Sequence, residues 1–160
     1  MKPTIYFLDD KSEKGQPKVI RGLAKKLFAH SSEMNLEIRP VDILGDLLMV
    51  VEHPTLNIGL LSHENKEQSI DDLIRFLLEE KCDVIFSTSI DKRAMDKSIA
   101  RLVSSKKYQS VYLRNAFSSV IEIDSLTEHE VNKLFEMIEL FLEFSNNTAT
   151  SDYSFSAQLI

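Results

Sequence analysis

The chain has one cysteine, Cys82, in 160 residues, and no tryptophan. A single cysteine excludes an internal disulfide and a cysteine-rich zinc site. Cys82 stands just before the apolar run Val84-Ile85-Phe86 and reads as a small buried hydrophobe rather than a nucleophile. Glycine and proline are sparse, four of each. The glycines are scattered, so neither a Walker glycine-lysine loop nor a GxGxxG turn is present. No apolar stretch reaches the length of about 18 residues that spans a bilayer, and no signal peptide is recognisable, so the cytoplasm is the default expectation and a membrane partner is not expected. Positive charge is also short. With 19 Lys and Arg against 25 Asp and Glu, the net charge of -6 argues against a nucleic-acid partner, which requires clustered cations to neutralise phosphates. The four histidines, His30, His53, His63 and His129, lie far apart without metal-ligand spacing.

What is present is the composition of a soluble globular domain, 43% hydrophobic and 28% charged. The length suits one domain with a substantial core. Strand-like and helix-like segments alternate along it. Residues 4–8 read as a buried strand. From Pro17 to about His30 the residues Val19, Ile20, Leu23 and Leu27 share one helical face. Residues 36–41 alternate as a second strand, in which Pro40 favours an edge position. Residues 43–53 are ambiguous; Ile43, Leu44, Leu47, Leu48 and Val51 fit a helix that ends before Pro54. Residues 57–61 suit a short buried strand, and 62–68 a polar loop. Ser69 opens a helix whose first turn carries Asp71 and Asp72. Residues 83–86 form the next strand, followed by a helix from Asp91 to about Ser105 and strands at 110–113 and 120–123. Ser125 and Glu128 make a capping box for a last helix to about Phe144. The polar segment after it suggests a domain over 1–145 and a flexible tail over 146–160. Such alternation predicts an α/β fold: a three-layer αβα sandwich, flavodoxin-like, around a mostly parallel sheet of five or six strands.

The acidic pair Asp9-Asp10 directly follows the apolar run Ile5-Tyr6-Phe7-Leu8. The carboxyl end of such a strand is where open α/β sheets bind ligands, and adjacent carboxylates repel unless a cation or basic group lies near. The same two residues would equally serve to cap the turn into the first helix, or to pair with Lys11, Lys14 or Arg114. Likewise Ser87-Thr88-Ser89 suits helix-capping hydroxyls beside Asp91, and Arg114-Asn115 a salt-bridged loop.

The run Ile5-Tyr6-Phe7-Leu8-Asp9-Asp10, the strand Val84-Ile85-Phe86 ending in Ser87-Thr88, and the closing strand and helix over 120–142 together resemble a response-regulator receiver domain. The resemblance implies a divalent cation, Mg2+, held by Asp9 and Asp10, with Thr88 as a hydroxyl contact and Arg114 in the place of the family's lysine. It also implies a phosphoryl-accepting aspartate at the end of the third strand. The chain departs from the family there. If 58–61 is the third strand, its end carries Ser62 and His63; if 84–86 is, the end carries Ser87-Thr88-Ser89, and the fifth strand ends in Glu122-Ile123-Asp124. Neither register supplies both acceptor and lysine, and serine does not replace an acyl-phosphate carboxylate.

The expectation is therefore a pseudo-receiver: a non-phosphorylatable regulatory or adaptor module in signalling or defence. It would act on a protein partner, another chain of such a complex or a second copy of itself, through the last helix and its Phe135, Phe141, Leu142 and Phe144. A second expectation is a small domain in which Asp9, Asp10, Thr88 and Arg114 bind a cation-phosphate ligand, or a phosphatase-like enzyme. Haloacid-dehalogenase-like phosphatases place their two acids one residue apart, whereas Asp9 is followed by Asp10, Lys11 and Ser12. A third is an interaction-only immunity or viral accessory protein with no pocket.

Overall fold

The computed structural model describes residues 3–9, 15–43, 46–64, 69–89, 97, 108–114 and 123–158. In chain order these form β1 (Thr4–Asp9), α1 (Gly15–Ala29), α2 (Ser31–Met34), β2 (Glu37–Ile43), β3 (Asp46–His53), β4 (Leu56–Ser62), α3 (Ile70–Glu79), β5 (Val84–Ser87), β6 (Gln109–Arg114) and α4 (Ile123–Gln158). The helix expected over 91–105 and the strand expected over 120–123 lie outside the described residues, save that Lys97 is helical and Ile123 begins α4.

The strands make one mixed, mostly parallel sheet in the order β2-β3-β4-β5-β1-β6. β1 runs parallel to β5 and β6, and β4 parallel to β5. β2, β3 and β4 form an antiparallel meander. Two expectations are corrected by this arrangement. Residues 46–53 are a strand, not part of a helix: Leu48 and Val50 face one layer of the core and Met49 and Val51 the other, so both faces are apolar and the polar alternation that marks a strand is missing. The strand order also differs from the 2-1-3-4-5 order of flavodoxin-like sheets, because β1 lies between β5 and β6. Pro40 does occupy an edge strand, β2, where its missing N–H costs no central ladder bond.

Helices cover both faces. On one, α1 and α4 pack Ile20, Leu23, Leu27, Leu134 and Ile138 over Leu8, Ile58, Leu60 and Phe86. On the other, α3 packs Ile70, Leu73, Ile74 and Leu77 over Ile5, Phe7, Leu61 and Ile85. Cys82 is buried in this second layer; burial foremost, then the nearby Asp83 and Glu80 carboxylates, push its thiol up to about 12, so it is inert. Ser125 lies inside α4 rather than at its cap, and the helix continues past Phe144 into the segment read as a tail. Among the described residues no helix is long and apolar enough to cross a membrane.

Two glycines permit close approaches. A Cβ on Gly22 would stand 2.8 Å from Cγ2 of Val131, where α1 meets α4, and one on Gly59 would stand 3.1 to 3.2 Å from Leu77, Cys82 and Ile85. Gly22→Ala gains up to about 1 kcal/mol of helix propensity, but Val131 is buried and stiff at χ1. Overpacking of this kind costs about 1–3 kcal/mol. We therefore expect a net loss of stability, read as a lower urea midpoint at unchanged m-value.

Candidate functional site

The parallel strands end together. Asp9 and Arg114 are register partners across β1 and β6, and Phe7 pairs with Ser87 across β1 and β5. The backbone at Thr88 and Ser89 therefore continues level with Leu8 and Asp9. β1 leads to α1 on one face of the sheet and β4 leads to α3 on the other. The two connections diverge on either side of β5, the position at which open α/β sheets form a ligand crevice. The fold thus brings Asp9, Thr88 and Arg114 to one edge. Asp10 lies outside the described residues, and for Asp9 and Arg114 the placement is that of the backbone.

The polar groups of this edge are bonded to one another. Thr88 is 2% exposed; its Oγ1 accepts the His63 N–H at 2.9 Å, and its own N–H donates to the Leu61 carbonyl at 3.0 Å. Ser87 donates its hydroxyl to the Thr88 carbonyl at 2.7 Å. Gln16, 2% exposed on the first turn of α1, accepts the Ser89 N–H at 2.7 Å and donates Nε2 to the Ser89 hydroxyl at 3.1 Å. Ser89 donates to the Leu8 carbonyl at 2.5 Å. Asp46, buried at the start of β3, accepts the Glu64 N–H, and Glu64 pairs with Arg21 of α1. These bonds pin the segments after β4 and β5 to β1, β3 and α1. The Thr88 hydroxyl holds a loop. Gln16 and Asp46 were not singled out from sequence. Gln16 stands immediately before Pro17, where the helical pattern of the sequence begins, and Asp46 lies within the ambiguous stretch over 43–53. Among the described residues no three His, Cys, Asp or Glu side chains converge as a metal site.

The opposite edge carries a second polar cluster. The His53 Nδ1 accepts the Thr55 N–H at 3.2 Å, and Thr55 Oγ1 bonds Ser145 Oγ at 2.7 Å and Asn146 Oδ1 at 3.1 Å, tying the β3–β4 turn to α4. His53 borders two shallow clefts of about 510 and about 370 Å³, one toward Asn57 and one toward Glu139 and Glu143. Partial burial holds its imidazole below the usual range. The unfolded chain therefore takes up a proton near pH 6.5 that the folded chain takes up only at lower pH. The stabilisation is full above that value and is lost as pH falls through the lower, folded pKa. A proton on Nδ1 would also displace the Thr55 bond. His53→Gln should accordingly show a smaller drop in thermal midpoint between about pH 7.5 and about pH 5 than the wild type.

On α4 the four residues expected at a contact surface divide. Phe135 and Leu142 are buried, and Phe141 packs its ring 5.8 Å from Tyr6. Phe144 is 62% exposed, and Leu140, one turn before it, is 64% exposed. Leu140 was hidden in the sequence by the apolar density of Ile138, Phe141 and Leu142 around it. Comparisons with protein-family models, with curated proteins and with solved structures find no match to this chain.

Proposed function

We propose that the chain is a regulatory or adaptor module, in signalling or defence, that works through protein contacts made by α4 and carries no phosphoryl group. The observation that carries this reading is the exposed pair Leu140 and Phe144, stacked one turn apart on a helix whose Val131, Leu134, Phe135, Ile138 and Leu142 are buried. Adjacent large apolar side chains in water mark contact sites more than scattered ones do. The bonded state of Thr88 and Ser89 adds support, since hydroxyls already holding loops are poor candidates for sensing a ligand. Of the strands ending at this edge, β4 ends in Ser62, β5 in Ser87 and β6 in Arg114, so among the described residues none of these three strands ends in an aspartate that could accept a phosphoryl group. The likeness to receivers retained in this reading is the layered arrangement and the aspartate closing β1; the strand order is different. Incubation with acetyl phosphate and magnesium, followed by intact mass measurement, should leave the mass unchanged. A stoichiometric, acid-labile phosphoryl adduct would contradict the reading.

A second reading, a domain binding a cation-phosphate ligand such as one held by Mg2+, rests on Asp9 and Arg114 as register neighbours at the strand ends.

A further inference from the structure

The charges of the two helices on one face of the sheet are segregated. Helix α1 contains Lys18, Arg21, Lys25 and Lys26 and no acid; α4 contains Asp124, Glu128, Glu130, Glu136, Glu139, Glu143 and Asp152 against Lys133 alone. The helices run side by side in the same direction. Gly22 meets Val131, Lys26 donates to Asn132 Oδ1 at 2.6 Å and stands over the Phe135 ring, and His30 packs against that ring at 5.3 Å.

Yet the opposite charges are not spent on each other. Among the described side chains no cation of α1 pairs with a carboxylate of α4. Arg21 turns to Glu64, and Lys26 to an amide and an aromatic ring. Lys18 and Lys25 are exposed on the outer side of α1, and Glu136, Glu139 and Glu143 are exposed on α4. Each stripe carries apolar residues. Phe28, 70% exposed, continues the stripe of Lys18, Arg21 and Lys25 at helical spacing, on the flank of α1 away from α4. Leu140 and Phe144 lie on the flank of α4 turned away from α1. The outer surface of the layer is thus basic along α1 and acidic along α4, with exposed apolar side chains on the far flank of each helix.

We propose that the occupant of this surface is a second copy of the chain, in a two-fold dimer that lays α1 of each protomer across α4 of its partner with the two helices running in the same direction. A two-fold axis lying in the contact plane, parallel to the helices and above the groove between α1 and α4, sets each α1 over the partner's α4, as an isologous interface requires. It sets Lys18 and Lys25 against the acidic stripe of the other protomer, and Phe28 near its exposed apolar pair. Surface complementarity of this kind fixes register and selects the partner. The inference rests on α4 being the contact face and adds what covers it.

Sedimentation velocity of the full chain tests it. At roughly 100 μM, where a micromolar dimer is saturated, the wild type should sediment as a dimer. Raising ionic strength from about 0.05 M to about 0.5 M should weaken it by about tenfold or more, since screening shortens the reach of the charges. Lys25→Glu should weaken the dimer by a similar factor, and adding Glu136→Lys to it should restore much of the loss. Leu140→Ala with Phe144→Ala should leave a monomer. These positions are exposed, so circular dichroism should show folded variants. A wild type monomeric under these conditions overturns the dimer, as does a dimer indifferent to both Lys25→Glu and the apolar pair. If such a monomer still retains a cellular protein through Leu140 and Phe144, the occupant is wrong and the α4 contact stands; if it retains none, both fall.

Discussion

Leu140→Ala combined with Phe144→Ala is expected to weaken the protein contact by at least about 30-fold while leaving the fold intact. The two side chains are 64% and 62% exposed, so truncation forfeits little burial within the chain. Alanine also favours an exposed helix position slightly over phenylalanine. Surface changes of this kind alter stability by about 0.5 kcal/mol or less. At an interface the same groups would be the desolvated anchors. Truncating one such anchor costs about 2 kcal/mol or more, and 1.4 kcal/mol is a factor of ten in affinity. Phe135→Ala is the contrasting variant. It lies in the same helix but buried, against His30 and Lys26, and should reduce stability first. Binding isotherms and urea melts of the two variants should therefore respond in opposite order.

Phe86→Ala is expected to produce the largest loss of stability. Phe86 sits on β5, with β4 on one side and β1 on the other, and is fully buried beneath the α1–α4 layer. Its ring stacks on Tyr6 at 5.3 Å with 19° between planes, and Tyr6 in turn contacts Phe141. Removing it leaves a void that paired strands on both sides cannot close. Loss of transfer energy plus the cavity costs about 3–5 kcal/mol. For a domain of this size that lowers the thermal midpoint by roughly 2–4 °C per kcal/mol. Phe28→Ala, at an exposed position, should shift it hardly at all. A urea titration of both variants at unchanged m-value checks the contrast.

The sequence was legible where one face of an element meets water. Helices α1 and α3 announced themselves through Val19, Ile20, Leu23 and Leu27 and through Leu73, Ile74 and Leu77, because their opposite faces are polar. β1, β4 and β5 were legible as short apolar runs bounded by polar residues. β3 was not: Leu47 to Val51 is apolar throughout and buried on both faces, so spacing alone fits a helix as well as a strand. Misreading β3 also concealed the β2–β3–β4 meander and with it the true strand order, since alternation suggested crossovers where a hairpin stands. At the candidate site, the position of Asp9, Thr88 and Arg114 along one edge was legible from their places at strand ends. That Thr88 would be buried and bonded to the His63 N–H was not, because it depends on β4 and β5 being neighbours. Gln16 and Ser89 are 73 residues apart, and no local pattern marks so distant a pair.

The claim on which the account turns is that contacts run through the outer face of α4 and not through the strand-end crevice. The most direct test is purification of the tagged chain from cells that also express a second, differently tagged copy, with retained proteins quantified for three baits: wild type, Leu140→Ala with Phe144→Ala, and Asp9→Asn with Asp10→Asn. The account predicts that the helix variant loses its partners and the aspartate variant keeps them. Partners retained by the helix variant and lost by the aspartate variant would contradict it.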